Sequence, residues 1–577
     1  MLRIALICLF ACIAPAQTPD FARDVHPILV ARCAGCHTGA KAQANLALNT
    51  RAEILKGGVN GPSVVPGSPA ASLLIQRITG RKLPLMPLGG DPLTAAEIRI
   101  LEQWIEKGAA GADGPAVAAR TVPLRPRRPA LSSIDAILSE YFRRHSIQPQ
   151  TPVSDAVFAR RAYLDLWGLL PTPGQLDAFL KNPAKDKHSV LIQNLLANRR
   201  NYAEHWVSFW NDLLHNDEGV SYIGERKSIT PWLLKALEEN TPYNQFVASL
   251  LNPVKPEDPA GFVIGVNWRG DVNASQTPIM QAAQNSAQVF LGVNLKCNSC
   301  HDSFISSWKL KDAYGLASFF SKEKLELVRC DVKTGQTAEL KFLYPELGSV
   351  SPDATLTERQ AAAARLFTSP ENGRFTRTFV NRIWRRLLGR GIVEPADDMD
   401  AQPWSEDLLD FLAVDFADHN YDVQYLLTRI MTSSAYRLPP DPVVAARDKS
   451  FVFRGPQFRR LEAEQFADAV SSITGEWRVS LTRNGTPGEY SREWRLKSSS
   501  LSRALGRPIR DLAVTERLVE PNTLQTLELV NGNALASLLK VGAQRLLGQA
   551  ERVPQNVYDS GVFRAEMPPV DIDIRGV

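Results

Sequence analysis

The chain has no apolar run long enough for a membrane span. The stretch Ile4 to Ile13 falls well short of the ~20 residues such a helix needs. Charge bias is slight: 66 Lys and Arg against 61 Asp and Glu leave +5 over 577 residues. That balance does not argue for nucleic acid, and no basic run is interleaved with aromatics as a single-strand groove would require. The C-terminal half has no Gly-rich phosphate loop and no nucleophile elbow. Cysteine is scarce, at seven residues, too few in paired use for a disulfide scaffold. Composition is not that of a disordered chain either. Hydrophobic residues at 44% and charged residues at 22% are ordinary for globular protein and supply ample core. The length suggests about three or four domains.

The N-terminus reads as an export signal over residues 1–16. Arg3 supplies a positive start, Ile4 to Ile13 an apolar segment, and Ala14-Pro15-Ala16 small residues at a cleavage site before Gln17. A second reading is a lipoprotein signal with Cys12 as the lipidated residue, although Phe10 fits it poorly. Both place the mature chain in a periplasmic or other extracytoplasmic compartment, with no transmembrane segment.

The scarce cysteines are concentrated. Cleavage after Ala16 removes Cys8 and Cys12, and four of the remaining five lie in Cys33-Ala34-Gly35-Cys36-His37 and Cys297-Asn298-Ser299-Cys300-His301. In C-x-x-C-H two thiolates add across the vinyl groups of a haem, and the histidine becomes an axial iron ligand. The spacing lets both sulfurs reach one haem edge while His sits under the iron. Cys33, Cys36, Cys297 and Cys300 are therefore the expected attachment residues of two c-type haems, with His37 and His301 as iron ligands. The other readings of such a pair are a disulfide, a thiol redox pair or half of a zinc site. Cys330 is left over and reads as a buried small residue.

Residues 17–110 carry more than the attachment motif. Phe21, Val25, Ile28 and Leu29 have helical spacing and lead into Cys33. Gly57-Gly58, Gly61-Pro62 and Pro66-Gly67 mark a loop-rich middle. Lys82-Leu83-Pro84-Leu85-Met86-Pro87 then presents a proline-flanked methionine whose thioether is a soft sixth ligand. Thr94 and Glu97 form a capping box for a helix over Ala95 to Lys107. His26 reads as structural. This order of leading helix, C-x-x-C-H, Met loop and closing helix resembles class I cytochrome c.

Residues 111–130 read as a Pro- and Arg-rich tether, whose Arg125, Arg127 and Arg128 are expected to be solvated or, alternatively, to dock an acidic redox partner. Helical spacing then marks Ile134 to Arg143, Asp155 to Leu166, His188 to Asn198, Tyr202 to Leu214 and Ala283 to Gly292. The expected fold is mainly α. A helical module over 131–322 holds the second motif, 323–358 is a linker, and a second helical module spans 359–548. Residues 549–577 read as the start of an incomplete β domain, with short strands at Val557 to Gly561 and Val570 to Ile574.

Several segments resemble one family of large cytochrome c-containing proteins, abundant in planctomycetes and some acidobacteria. They are Arg160 to Thr172, Ala287 through His301-Asp302, Tyr314 to Phe320, Asn372 to Asp400, Arg459 to Glu464 with Asp468, and Leu529 to Gly532. The resemblance implies a planctomycete cytochrome c domain followed by two domains of unknown function. It implies haem and electron transfer for the first part and no settled chemistry for the rest. Many relatives continue C-x-x-C-H-D with His-Pro-Phe, whereas Ser303-Phe304 follow Asp302 here. A sixth ligand for the second haem would have to come from elsewhere, with His205, His215 and Met280 as candidates, or the iron would be five-coordinate.

Charge in the third module reads as structural. Glu394, Asp397, Asp398 and Asp400 are expected to pair with Arg382, Arg385, Arg386 and Arg390, with a carboxylate pair or cation site as the other reading. Arg459, Arg460, Glu462, Glu464 and Asp468 read as an ion-pair network along one helix. The function expected is electron transfer to a redox partner protein. The alternative is an enzyme, either haem-linked or acting on a polysaccharide, whose active site the sequence does not assign.

Overall fold

A computed structural model describes residues 19–33, 37, 43–48, 50–88, 92–110, 125–148, 150–216, 227–264, 276–303, 306–441, 451–477, 479–481, 487–508, 510, 514–517 and 522–549. The export signal, Cys36 and the C-terminal strands expected at 557–561 and 570–574 lie outside these residues. The chain forms two compact units, one drawn from Met1–Thr121 and Ser303–Ser307, the other from Val122–Asp302 and Trp308–Val577. Both are mainly α.

In the first unit the leading segment begins as a π-turn over Phe21–Val25 and continues as an α-helix over His26–Arg32. Pro27 sits in the first turn of that α-helix, where its missing N–H is tolerated. The closing helix Ala95–Glu106 starts on a reciprocal cap: Glu97 N–H donates to Thr94 Oγ1 at 3.2 Å, and Thr94 N–H to Glu97 Oε2 at 2.7 Å. The two helices meet through Phe21 and Trp104, ring centres 5.4 Å apart, and through the Arg32–Glu97 ion pair at 3.0 Å. Leu101, Trp104 and Ile105 turn inward with Phe21, Leu29, Ile54 and Ile75. Trp104 is fully buried, and its indole N–H donates to Ala110 O at 2.8 Å. Burying a side chain of that size is worth about 4–6 kcal/mol of transfer free energy before entropy is subtracted.

In the second unit the helices expected from periodicity form within one to three residues of their expected ends: Ile134–Arg144, Asp155–Trp167, Lys187–Ala197 and Arg199–Leu213. The helix Pro278–Leu291 ends at Gly292, whose φ of +59° is left-handed. A Cβ on Gly292 would come within 2.3 Å of Met399 Cγ, so only glycine permits this approach. Met399 N–H donates to Gly292 O at 3.1 Å, and Val293 bridges Asp398. The stretches 131–322 and 359–548 thus share one hydrophobic core running from Ile134 to Trp494. Tyr243 stacks on Phe379 at 3.8 Å within it.

Residues 323–358 do not behave as a linker. They carry an antiparallel hairpin, Glu326–Arg329 with Val332–Thr337. After it Phe342, Leu343 and Tyr344 sink into the core, against Trp308, Phe319 and Phe367. A second hairpin pairs Val479–Leu481 with Pro487–Tyr490. Arg125, Arg127 and Arg128 lie against Glu371, Glu406 and Asp418 on their own unit. All three side chains are well exposed, so these pairs add little stability.

Candidate functional site

The first motif opens where the leading helix ends. Cys33 N–H still bonds Leu29 O at 2.9 Å, and His37 N–H bonds Cys33 O at 3.1 Å. Cys33 and Met86 come from opposite ends of the domain yet pack on the same core, beside Leu46 and Ile98. Burial pushes the Cys33 thiol up to about 11, opposed by Arg32 and reinforced by Glu97. Met86 is placed by its own N–H, which donates to Arg77 O at 3.2 Å. Leu83, Leu85 and Leu88 around it are exposed. His37 turns Nδ1 to Leu46 O at 3.2 Å. With the proton there, Nε2 carries the lone pair that a metal uses.

The second motif is a 3-10 turn over Cys297–Ser299, entered from the helix Pro278–Leu291. Gln284 Nε2 donates to Ser299 Oγ at 2.7 Å, and Asn298 Nδ2 to Trp308 O at 2.5 Å. Those bonds anchor the two intervening residues inward and leave Cys297 exposed and Cys300 half-buried. His301 repeats the arrangement of His37: its Nδ1 faces Asp302 O at 2.8 Å. Asp302 Oδ1 in turn accepts from Leu310 N–H at 2.9 Å, at the start of the helix Leu310–Ala317.

Family models match three segments of the chain. "Planctomycete cytochrome C" covers residues 33–87, "Protein of unknown function (DUF1549)" covers 133–324, and "Protein of unknown function (DUF1553)" covers 359–566. The chain has the architecture of a planctomycete-type cytochrome c protein: a cytochrome c segment followed by the two domains of unknown function. Comparison with curated proteins returns no significant match, and comparison with solved structures returns none either.

The residues of the two motifs fit haem c. Both motif histidines turn Nδ1 to a backbone carbonyl, the orientation that suits Nε2 to be the metal-binding nitrogen, and Met86 shares a core with Cys33. Among the described residues no cluster of three or more His, Cys, Asp or Glu side chains is arranged to hold a bare metal ion. Among them, too, no helix is long and apolar enough to cross a membrane. His26 packs on Phe21, ring centres 5.8 Å apart.

The candidate sixth ligands of the second motif are engaged elsewhere. His215 Nε2 accepts from Asn285 Nδ2 at 3.1 Å. His205 Nε2 accepts from Arg386 at 3.4 Å, and burial, with Arg386 beside it, holds the imidazole well below its usual range. Met280 is a core residue. Cys330, expected to be a buried small residue, is exposed and lies beside Cys300, because it occupies the tip of the hairpin in 326–337.

Two of the four carboxylates in 394–400 pair with the expected arginines, while Asp400 and Arg386 take other partners. Arg382 meets Asp397 at 2.7 Å, Arg385 meets Glu394 at 3.3 Å, and Arg374 takes Asp400. Arg386 goes to Glu462 at 2.8 Å. The helix expected through Arg459 to Asp468 begins only at Ala463, because Glu462 caps it through Gln465. Sequence reasoning missed Asp165, Glu204 and Asp212. Asp165 receives Arg459 at 2.9 Å, Glu204 receives Arg495 at 2.7 Å, and Asp212 receives Arg510 and Arg517 at 2.6 Å each. The Asp165–Arg459 and Asp212–Arg517 pairs border a cleft of about 170 Å³ that Arg386 and Glu462 also line.

Proposed function

We propose that this cytochrome is an exported dihaem protein that passes electrons between partner proteins. The observation that carries this reading is the shared placement of His37 and His301, each with Nδ1 on a backbone carbonyl directly beside a cysteine pair. Haem c, when bound, supplies a one-electron iron couple. Cys33 and Cys36 would anchor one group and Cys297 and Cys300 the other, with His37 and His301 as axial ligands. Met86 would close the first site, and the exposed Leu83, Leu85 and Leu88 offer an apolar rim for a redox partner. A potentiometric titration of the full-length protein tests this. Two one-electron waves are expected; no reducible haem would overturn the proposal.

Met86→Ala should lower the potential of the first haem and let its reduced form bind carbon monoxide. A thioether stabilises the reduced state and fills the distal position. An unchanged potential and no carbon monoxide adduct would remove Met86 from the site.

A second reading concerns the second motif. His205 and His215 have Nε2 engaged, and Met280 sits in the core. These engagements favour a ligand-binding or redox-enzymatic role for a haem that His301 would hold. Carbon monoxide should then bind one haem of the unmodified reduced protein. Low-spin iron at both sites that ignores the gas would leave the electron carrier alone.

A further inference from the structure

Cys330 occupies a position that a turn does not favour. The hairpin tip runs Arg329-Cys330-Asp331-Val332, and both central residues are left-handed, with φ of 46° at Cys330 and 64° at Asp331. Such two-residue turns favour Asn-Gly, and a side chain other than Asn, Asp or Gly in this region costs about 1 kcal/mol or more. The turn therefore does not explain the cysteine, but its surroundings do. Cys330 N–H donates to Cys300 O at 3.0 Å, and its Sγ lies 3.8 Å from the same carbonyl. The hairpin is fixed where it stands: Thr334 Oγ1 donates to Leu327 O at 2.8 Å, Tyr314 OH to Val328 O at 3.4 Å, and Arg329 reaches Asp302 at 3.8 Å. The backbone bond and the 3.8 Å approach place the Cys330 thiol against the residue that carries the Cys300 thiol, and such proximity is what a disulfide first requires.

We infer that Cys300 and Cys330 are a thiol–disulfide pair, which closes into a disulfide whenever no haem occupies the second motif and leaves Cys297 as that motif's single thiol. The oxidant is an external disulfide, R–S–S–R. The exposed Cys330 thiolate attacks one of its sulfurs, forming Cys330–S–S–R and releasing RS⁻. Cys300 thiolate then attacks the Cys330 sulfur and displaces the second RS⁻. Two protein thiols lose two electrons and two protons, and one external disulfide becomes two thiols. Where the two-haem reading holds, this bond also controls loading, because Cys300 must be a thiol before it can form a thioether.

The test uses the full-length chain produced in cells that lack covalent haem attachment. The protein is equilibrated with glutathione disulfide, alkylated with iodoacetamide and digested without reduction. The Cys300 and Cys330 peptides should emerge joined, with Cys297 alkylated, and dithiothreitol should separate them. Cys297→Ser should keep the link. Cys330→Ser should abolish it and leave Cys300 alkylated or joined to Cys297. A Cys297–Cys300 disulfide in the unmodified chain, or alkylation of both Cys300 and Cys330, would overturn the inference. Haem content is counted separately on the native protein, so failure of the dihaem reading leaves this result intact.

Discussion

Replacing Cys297 and Cys300 together by serine is expected to halve covalently bound haem, from about two groups per chain to one. Replacing Cys33 and Cys36 together should halve it as well, and the fourfold variant should carry none. The argument is chemical: a thioether survives denaturation, whereas a haem held only by His coordination does not. A haem stain on a denaturing gel therefore counts attachment, and pyridine haemochrome gives the ratio per chain. The two motifs belong to different compact units, so the losses should be independent and additive. His37→Ala and His301→Ala separate the roles further. Each should keep its thioether-bound haem on the gel while losing the low-spin signature that histidine ligation gives the spectrum. An unmodified protein that already shows one haem would strike the second motif from the account, and one that shows none would sink the dihaem reading.

What the sequence revealed and what it hid have the same physical origin. Helices such as Asp155–Trp167 announce themselves because apolar residues recur at the helical period and a Ser N-cap precedes them. The first motif was legible because its parts are local: Cys33, His37 and the proline-flanked Met86 all fall within one domain. The hairpin in 326–337 was not legible, since its second strand is exposed along its whole length and shows no alternation. Consequently the approach of Cys330 to Cys300 was hidden as well. Phe342, Leu343 and Tyr344 carry no signal that sets them apart from a linker, because three consecutive buried residues have neither helical nor strand period. Arg495, which meets Glu204, and Arg510 and Arg517, which meet Asp212, lie roughly 290 to 305 residues away in sequence, so no local pattern could join them.

The Asp212 and Glu464 cluster should show the largest stability effect in the second unit. Glu464 is buried and accepts from Arg517 Nη1 at 2.5 Å and Nη2 at 2.9 Å, with Arg510 at 3.5 Å and Arg507 at 3.7 Å. Glu464→Ala would leave Arg507, Arg510 and Arg517 short of one carboxylate in a dry site. Breaking one side of such a pair costs about 3–5 kcal/mol, because the remaining charge stays buried. Burial resists ionisation of Glu464, but Arg517, Arg507 and Arg510 outweigh it and hold the carboxyl well below its usual range. Glu462 behaves alike: burial is overcome by Arg386 and Arg517, and its carboxyl is held down to about 2. Their folded pKa values lie below the unfolded value of about 4.3, so their stabilisation is present above that pH and is lost as pH falls towards 2. Asp468 has the opposite sign, since burial prevails over Arg492 and raises it. It takes up its proton first on acidification and offsets part of the loss. His205, held neutral in the fold, adds a loss that begins below about pH 6.5, where the unfolded imidazole protonates. Denaturant unfolding at pH 7, 5 and 3 should therefore show stability falling with acid, and a shallower fall in Glu464→Ala, which has already lost one of the titrating carboxylates. Glu464→Gln should also be destabilised at pH 7, since an amide fills the space without balancing the guanidinium charge. A change below about 1 kcal/mol in both variants, with an unaltered acid slope, would mean that the cluster is solvated and contributes no more than a surface pair.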